Sequence, residues 1–186
     1  LTVVEPAEAW RQDHSDLLNY FLGHRPEGMQ VMAVQRNGQQ AWLSLAWEGN
    51  EHVGRSFYDK GRPERNGEQH RWDSNYVYLD EDGGVSGSYH PTRGVWLPRR
   101  GKVGDRIDLL DNEITRYDAA CNTTAVSIFP YTVTIDSLDT DRLIVSSWYY
   151  PGDPAKVALQ RAETYTYSWD HGWVRWQCWV CGFPAP

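Results

Sequence analysis

The clearest alternation of apolar and polar residues lies near the end of the chain, between Arg161 and Phe183. Apolar and aromatic residues recur there at every second position, which is the period of a β-strand with one buried face. Two such segments flank His171-Gly172, and a glycine at the second central position suits the positive φ of a tight hairpin turn. The pattern therefore predicts an antiparallel hairpin with one aromatic face and one polar face.

The register of this hairpin decides which side chains share a face. A two-residue turn places Tyr167 opposite Trp176, whereas a three-residue turn would place it opposite Arg175 and mix apolar with polar residues. We favour the two-residue turn, because a slip of one residue would move the whole apolar set into water. The predicted aromatic face, which also carries two charged residues, consists of Arg161, Glu163, Tyr165, Tyr167, Trp169, Val174, Trp176, Cys178 and Val180.

Helical periodicity is found at the start of the chain, from Pro6 to Gly23. Apolar residues recur there at intervals of three and four, proline is favoured at the first helical position, and glycine is favoured as a C-cap. We therefore predict a helix over residues 6–23 whose apolar stripe covers part of the β-structure.

A second hairpin is predicted around Asp82-Gly83, another common two-residue turn. This turn would place Tyr76 opposite Tyr89 and Tyr78 opposite Gly87 on the same face. A glycine opposite a tyrosine leaves room for the ring or for a ligand that approaches the backbone.

The whole pattern contains about nine or ten short strands joined by turns, which is typical of a sandwich or a closed antiparallel barrel. We favour an all-β single domain over residues 1–186: a closed barrel of about eight to ten strands over 28–183, with the helix as a plug or lid. In overall shape such a barrel is similar to the lipocalin-like group. That group usually carries Gly-x-Trp in its first strand, where this chain has Gly28-Met29-Gln30.

Composition narrows the range of partners. The formal net charge of −7 and the sequence pI near 5.3 disfavour nucleic acid and anionic membranes. No apolar run approaches the roughly 20 residues that span a bilayer. The 10 tryptophans and 11 tyrosines suit half-wet surfaces such as ligand pockets and interfaces, or simply a pleated β-surface. We expect a small-molecule partner, leave a homodimer open, and favour the cytoplasm over secretion.

The three cysteines are Cys121, Cys178 and Cys181. The last two have the spacing of a redox motif, but in a continuous strand residues three apart point to opposite faces. We therefore expect buried free thiols and no metal site. Asn122-Thr-Thr forms a glycosylation sequon that would matter in an exported protein.

Charged residues on the aromatic face are the strongest indication of chemistry. A carboxylate there is costly to bury, so Glu163 and Arg161 form either an internal ion pair or a catalytic pair of acid–base and anion-holding groups. Aromatic and polar neighbours would hold the substrate. The predicted substrate-binding residues are Tyr76, Tyr78, Tyr89, His90, Tyr165, Tyr167, Trp169 and Trp176.

These features favour a cofactor-independent cyclase or isomerase that acts on an apolar polycyclic or polyene-type biosynthetic intermediate. Known catalytic motifs such as GxSxG and HExxH are absent from the sequence, and such catalysis requires only a cavity that holds a reactive conformer and stabilises developing charge. Two alternatives remain open. One is a lipocalin-like carrier or chromophore-binding protein, and the other is a carbohydrate-binding module that uses Trp173 and Trp179 on the polar face of the hairpin.

Overall fold

A computed structural model describes residues 13–23, 30–34, 40–49, 53–59, 66–84 and 87–180, the second to fourth ranges through their backbone pairing. These residues are mostly β, as predicted. The elements described within these ranges are α1 (Leu17–Leu22), β1 (Gln30–Val34), β2 (Gln40–Gly49), β3 (Val53–Asp59), β4 (Asn66–Trp72), β5 (Tyr76–Gly84), β6 (Gly87–Pro91), β7 (Val95–Pro98), β8 (Arg106–Leu109), β9 (Glu113–Tyr117), β10 (Thr123–Ile128), β11 (Tyr131–Leu138), β12 (Arg142–Tyr149), β13 (Gln160–Ser168) and β14 (Gly172–Cys178).

All of these strands belong to one sheet. The pairing path runs β10-β9-β6-β5-β4-β3-β2-β1-β14-β13-β12-β11-β8, and β7 pairs with β5 beside this path. Neighbours are antiparallel except for β1 and β14, which are parallel. Over the described residues the path does not close on itself, so closure of the barrel stays a prediction.

The polypeptide chain itself connects the strands at the two ends of this path. β8 leads into β9, and β10 leads into β11, so the four strands form a single long hairpin with a bend in each arm. Leu109 of β8 pairs with Tyr131 of β11, and β9 pairs with β10. At the bend between these two pairs, the N–H of Phe129 donates to the carbonyl of Asn112 at 2.8 Å. Backbone hydrogen bonding therefore continues around the corner.

The helix is shorter than predicted. Asp16 caps it by accepting a hydrogen bond from the N–H of Leu18 at 3.2 Å, and residues 13–16 form a turn, so a continuous helix over 6–23 is wrong there. Residues 6–12 lie outside the described part of the chain. Asp16 also binds Arg99, whose Nε donates to its carboxylate at 2.6 Å. The expected C-cap is confirmed at Gly23.

Helix α1 packs across one end of the sheet. Leu17, Leu18 and Phe21 are buried in the same core cluster as residues of β5, β7 and β11–β14. The Phe21 ring lies 4.8 Å from the ring of His70 on β4 and 5.6 Å from that of Tyr167 on β13. Phe21 therefore fills the space between two distant parts of the sheet.

The end of α1 meets the C-terminal hairpin at a glycine that cannot be replaced. Gly23 has a φ of 52°, and a Cβ there would lie 1.9 Å from the backbone nitrogen of Gly172. Gly172 itself has a φ of 69°, the positive value that was predicted, although it is the first residue of β14 and not a central residue of the turn. Two glycines thus allow helix and hairpin to touch through their backbones.

The hairpin turn is longer than predicted. Ser168 pairs with Gly172, so residues 169–171 connect the strands, and Tyr165 pairs with Trp176. Both registers considered from the sequence are therefore wrong. The pairing of Tyr165 has moved by two residues from the favoured register, and an even shift keeps each side chain on its predicted face.

Near the turn, a β-bulge changes which side chains of β14 lie on the aromatic face. Thr166 pairs with Arg175 but Tyr167 pairs with Trp173, which leaves Val174 as the extra residue. Trp173 consequently points inward and is only 5% exposed. The expectation that Trp173 lies on the polar face beside Trp179 is wrong, and the carbohydrate-stacking pair based on it is not formed.

The predicted turn at Asp82-Gly83 is also wrong. β5 continues through these residues, and Asp82 pairs with Tyr89 instead of reversing the chain. Tyr76 and Tyr78 pair with β7, not with β6. β5 can continue through Gly83 because this residue has no side chain. A Cβ at that position would lie only 2.5 Å from the Cβ of Ser88 on β6.

The cysteines differ from the expected buried thiols. Cys178 is buried and disulfide-bonded, whereas Cys121 is a free thiol on the surface. Cys181 lies outside the described residues. The argument against a disulfide required a continuous strand, but β14 ends at Cys178 and residues 179–180 form a bend.

Candidate functional site

A cavity of about 470 Å³ lies between the β4–β9 part of the sheet and the β11–β14 part. This volume suits a drug-sized ligand, since pockets for such molecules measure roughly 300–1,000 Å³. The described residues that line it are Glu68, His70, Leu79, Asp82, Tyr89, Pro91, Trp96, Asn112, Ile114, Phe129, Tyr131, Ser147, Trp148, Tyr149, Ala162, Glu163, Tyr165, Trp173, Trp176 and Val180.

Glu163 is the best-defined polar group on the β13 wall. The Tyr165 hydroxyl donates to Oε2 at 3.0 Å, and the Trp176 indole N–H donates to Oε1 at 3.1 Å. Both donors come from the aromatic face of the C-terminal hairpin, which the alternating sequence predicts. Hydrogen bonds to both oxygens favour the ionised carboxylate and fix its orientation toward the cavity.

Tyr165 and Tyr89 remain protonated at neutral pH. Burial raises the pKa of Tyr165 well above its usual range, and the negative charges of Glu163 and Glu68 raise it further. The pKa of Tyr89 is raised by the same causes, first by burial and then by Asp82. Each hydroxyl can therefore serve as a proton donor to an acceptor within reach.

The opposite wall carries a second set of acidic groups. Tyr89 donates its hydroxyl proton to Asp82 at 2.7 Å, and Asp82 pairs across the strands with Glu68. Glu68 Oε2 lies 3.8 Å from Nε2 of His70, whose side chain is almost fully buried. Carboxyl groups therefore face the cavity from both sides.

Ser147 is the polar group whose position is hardest to explain by packing. It lies opposite Glu163 on the neighbouring strand and is only 7% exposed. Ser147 lines the cavity, but its hydroxyl oxygen is itself buried and has no hydrogen-bond partner among the described residues. A buried hydroxyl in this state costs roughly 1–3 kcal/mol.

Four of the predicted site residues line this cavity, namely Glu163, Tyr89, Tyr165 and Trp176. Glu163, Tyr165 and Trp176 also contact one another, although their register differs from the prediction. The even shift in that register explains why the face was predicted correctly.

Arg161 does not lie on the same face of the sheet as Glu163. A bulge at Ala162 lets Glu163 pair with Ser147 and Arg161 pair with Trp148, so the two charged side chains point to opposite faces. Arg161 Nη2 instead lies 3.5 Å from Asp136, and the guanidinium lies 4.5 Å from the centre of the Trp148 ring. The expectation that Arg161 shares the face of Glu163 is wrong.

Tyr76 and Tyr78 also lie outside the cavity. A bulge at Asp80 separates the Gln69–Glu81 pair from the next pair along β4 and β5, which reverses the facing of the earlier part of β5. Tyr76 is 38% exposed, and the Tyr78 hydroxyl donates to Asp73 on the surface.

Three further predicted residues have other contacts. His90 lies on the face opposite Tyr89, where its ring packs against Tyr117. Tyr167 is buried beside the cavity and accepts a hydrogen bond from the Trp96 indole at 2.9 Å. Trp169 lies in the turn and stacks on His14 with ring centres 3.8 Å apart.

Several cavity residues are not identified by the sequence analysis. They come from strands that are remote in sequence. Because of the bulges, simple alternation does not predict the side of the sheet to which their side chains point. The signal that identified Glu163, an acidic residue on an otherwise apolar face, does not extend to Glu68 and Asp82, because their neighbours in β4 and β5 are also polar. The most important are Glu68, His70, Asp82, Trp96, Asn112, Ser147 and Trp173.

Comparisons with known proteins do not extend these observations. No family model, curated protein or solved structure matches the chain. Within the described residues, no three His, Cys, Asp or Glu side chains are grouped to hold a metal ion. The described part of the chain also contains no helix that is long and apolar enough to cross a membrane. Function must therefore be argued from the cavity itself.

Proposed function

We propose that the cavity binds an apolar, oxygen-bearing small molecule of polycyclic or polyene type and catalyses its isomerisation or cyclisation by proton transfer. The observation that carries this proposal is the Glu163 carboxylate, which two donors hold at the cavity surface beside the Ser147 hydroxyl. The chemistry uses only side chains of this chain.

Aromatic walls suit a flat apolar ligand. Trp96, Trp173 and Trp176 line the cavity together with tyrosine rings, and such side chains bind apolar surface while their polar tips orient oxygens. A change of the Ser147 side-chain rotamer would let its buried hydroxyl reach an oxygen of the ligand and thereby recover the energy of its burial.

Glu163 is suited to act as the general base. A carboxylate oriented by hydrogen bonds can remove a proton from carbon next to a carbonyl group. Tyr165 would stabilise the charge on Glu163 before transfer, since its hydroxyl already donates to that carboxylate.

We infer that the long bent hairpin closes the barrel around this cavity, with α1 as the plug at one end. The hydrogen bond at the bend, between Phe129 and Asn112, continues the ladder between the two end pairs of the sheet. Asn112 and Phe129 both line the cavity, so the corner forms part of its wall.

The test uses a β,γ-unsaturated steroid ketone with the full-length chain. Conversion to the conjugated ketone is followed by ultraviolet absorbance, and binding is followed by quenching of tryptophan fluorescence. We expect conversion by the wild type and a fall in kcat of about 100-fold or more for Glu163→Gln, because general base catalysis contributes 10²–10⁴-fold. Glu81→Gln, which changes a glutamate outside the cavity, is the matched control.

Two results would contradict the proposal, the first by excluding catalysis and the second by excluding Glu163 as the base. Tight binding of the ketone with no conversion would favour the carrier or chromophore-binding alternative. Conversion that is unchanged in Glu163→Gln would remove Glu163 from the mechanism. Native mass spectrometry of the freshly purified protein adds an independent measurement, because a retained molecule would identify the natural ligand class directly.

A further inference from the structure

The strand β10 forms an exposed edge at one end of the pairing path. It pairs with β9 on one side, and among the described strands none pairs with its other side. All six of its residues are exposed, including Val126 at 55% and Ile128 at 59%. The N–H of Phe129 donates toward Asn112, so alternation directs the backbone groups of Ile128 and Val126 away from β9. This side of β10, which we call the free edge, therefore combines open backbone groups with apolar side chains.

The strand at the other end of the path differs in composition. β8 carries Arg106 and Asp108 among its four residues, and both are exposed. Charged side chains on an edge strand discourage pairing with another chain. β10 has the sequence Thr-Thr-Ala-Val-Ser-Ile, without a charge, a proline or a glycine. An exposed edge of this composition is an aggregation hazard unless something covers it.

A glycosylation sequon lies directly before the free edge. Asn122-Thr123-Thr124 has the required hydroxyl residue at the third position, no proline at the second, and no counterpart elsewhere in the sequence. All three residues are exposed, and residues 118–122 form the turn that joins β9 to β10. A bulky glycan on Asn122 would therefore extend into solvent at the end of the hairpin.

The turn holds Asn122 in a defined position. Asp118 Oδ1 accepts hydrogen bonds from the backbone N–H groups of Ala120 and Asn122, each at 2.9 Å. Asn122 Nδ2 donates to Oδ1 and Oδ2 of Asp118 at 3.3 and 3.1 Å. An N-glycosidic bond replaces one of the two hydrogens on Nδ2. The other hydrogen can still donate to Asp118, so the folded turn is compatible with a glycan.

The disulfide at Cys178 is a separate observation that points to the compartment where such glycans are added. Cys178 lies on β14, is disulfide-bonded and has no solvent-exposed surface. Catalytic and regulatory disulfides are accessible to other thiols, whereas a buried one is structural. Structural disulfides persist in the secretory pathway and outside the cell but are rare in the cytosol. This observation favours export, in contrast to the cytoplasmic location expected from the sequence.

We propose that the protein is exported, that Asn122 carries an N-linked glycan, and that this glycan covers the free edge of β10. The six residues of β10 extend over about 20 Å. A branched oligosaccharide at one end of so short a strand hinders a second strand from aligning along it. The glycan thus provides the protection that Arg106 and Asp108 give to β8.

The transfer requires one co-reactant, an oligosaccharide linked to a polyprenyl pyrophosphate. A bond forms between Nδ2 of Asn122 and C1 of the first sugar. The bond between C1 and the pyrophosphate oxygen breaks, and its electron pair leaves with the pyrophosphate. One proton is released from Nδ2, and no oxidant or reductant is consumed.

Secretion of the full-length chain from human cells, directed by an added signal peptide, tests the site. Peptide mapping by mass spectrometry should find a glycan on Asn122, and peptide-N-glycosidase should remove it and leave aspartate. Thr124→Ala and Asn122→Gln should each abolish the glycan, whereas Thr124→Ser should retain it, because the sequon accepts either hydroxyl residue. A secreted wild type with unmodified Asn122 would overturn the proposal, and so would a chain that fails to be exported while Cys178 remains reduced.

Sedimentation velocity of the secreted proteins tests what the glycan covers. The unglycosylated Asn122→Gln variant should form larger assemblies than the glycosylated wild type. Addition of Val126→Lys should reverse this association, since it places a charge on the free edge. Val103→Lys adds the same charge at another exposed valine, in a turn, and should not reverse it. Near-ultraviolet circular dichroism verifies that each variant is folded.

Two outcomes of this second measurement would overturn the protective role. One is an Asn122→Gln variant of the same size as the wild type, and the other is an equal effect of Val103→Lys and Val126→Lys. Both outcomes are independent of the proposed catalysis, because Asn122 and Val126 lie outside the cavity. Conversion of the steroid ketone should therefore be the same with and without the glycan.

Discussion

Two neighbouring serines on β12 have opposite surroundings. Ser146 is fully buried, donates to Asp136 at 2.6 Å and lies 2.9 Å from the Thr164 hydroxyl on β13. Ser147 is nearly as buried and lines the cavity, but its buried hydroxyl has no partner among the described residues. Successive residues of a strand point to opposite faces. The outer face of this sheet therefore satisfies the Ser146 hydroxyl, whereas the cavity wall leaves that of Ser147 unsatisfied by the described residues.

On the outer face, a connected set of hydrogen bonds provides partners for the hydroxyl groups. Asp136 accepts from the hydroxyls of Thr134 and Ser146 and also pairs with Arg161, while the Trp179 indole donates to Thr164. We call these residues the outer network. A polar group that is hydrogen-bonded by its neighbours contributes to stability, and one directed at a cavity without such a bond lowers stability unless a ligand is present. The comparison therefore separates a polar residue that stabilises the sheet from one whose burial costs stability.

The largest expected effect comes from removal of the centre of the outer network. Asp136→Ala leaves two buried or partly buried hydroxyls without their acceptor, so the free energy of unfolding should fall by about 2–3 kcal/mol. Urea denaturation measures this loss. Asp141→Ala, an exposed aspartate on a nearby turn, is the control. Binding of the steroid ketone should be unchanged, and a loss of binding by folded Asp136→Ala would contradict the separation of the two faces.

The tyrosines of the cavity predict the next effect, a loss of stability in alkaline solution. The pKa values of Tyr89 and Tyr165 are raised in the folded protein, chiefly by burial. Above about pH 10 the unfolded chain releases these protons while the native protein keeps them. The unfolded state then binds fewer protons, so the free energy of unfolding falls as pH rises, by about 1.4 kcal/mol per pH unit for each tyrosine.

Urea denaturation across this alkaline range provides the measurement. Tyr165→Phe should reduce the slope of stability against pH relative to the wild type. An equal slope in wild type and Tyr165→Phe would mean that the Tyr165 hydroxyl ionises as readily in the folded state as in the unfolded chain.

Local sequence signals predicted where strands and helix ends lie more accurately than the side of the sheet to which each side chain points. Alternation identified the C-terminal hairpin and its aromatic face, Gly172 has the predicted positive φ, and Gly23 ends the helix. Each of these features depends on residues close in sequence. The parallel pairing of β1 with β14 joins distant segments, and no local pattern specifies it.

Bulges account for most errors in the predicted site. A single extra residue at Asp80 or Ala162 reverses the facing of everything beyond it, which moves Tyr78 and Arg161 away from the cavity. Neither position carries a glycine or another residue that marks a bulge in advance. The opposition of Glu68 and Glu163 likewise depends on how the whole sheet curves, and alternation within one strand does not contain that information.

The smallest expected effect is also the most direct test of the two serines. Ser146→Ala should lower the free energy of unfolding by about 1 kcal/mol, because its partners lose a hydrogen bond. Ser147→Ala should leave it within about 0.5 kcal/mol of wild type or raise it, since an unsatisfied buried hydroxyl is removed. The same variant should weaken binding of the steroid ketone, whereas Ser146→Ala should not. If both substitutions destabilise the protein equally, the Ser147 hydroxyl has a structural partner and the cavity loses its evidence for a polar ligand atom.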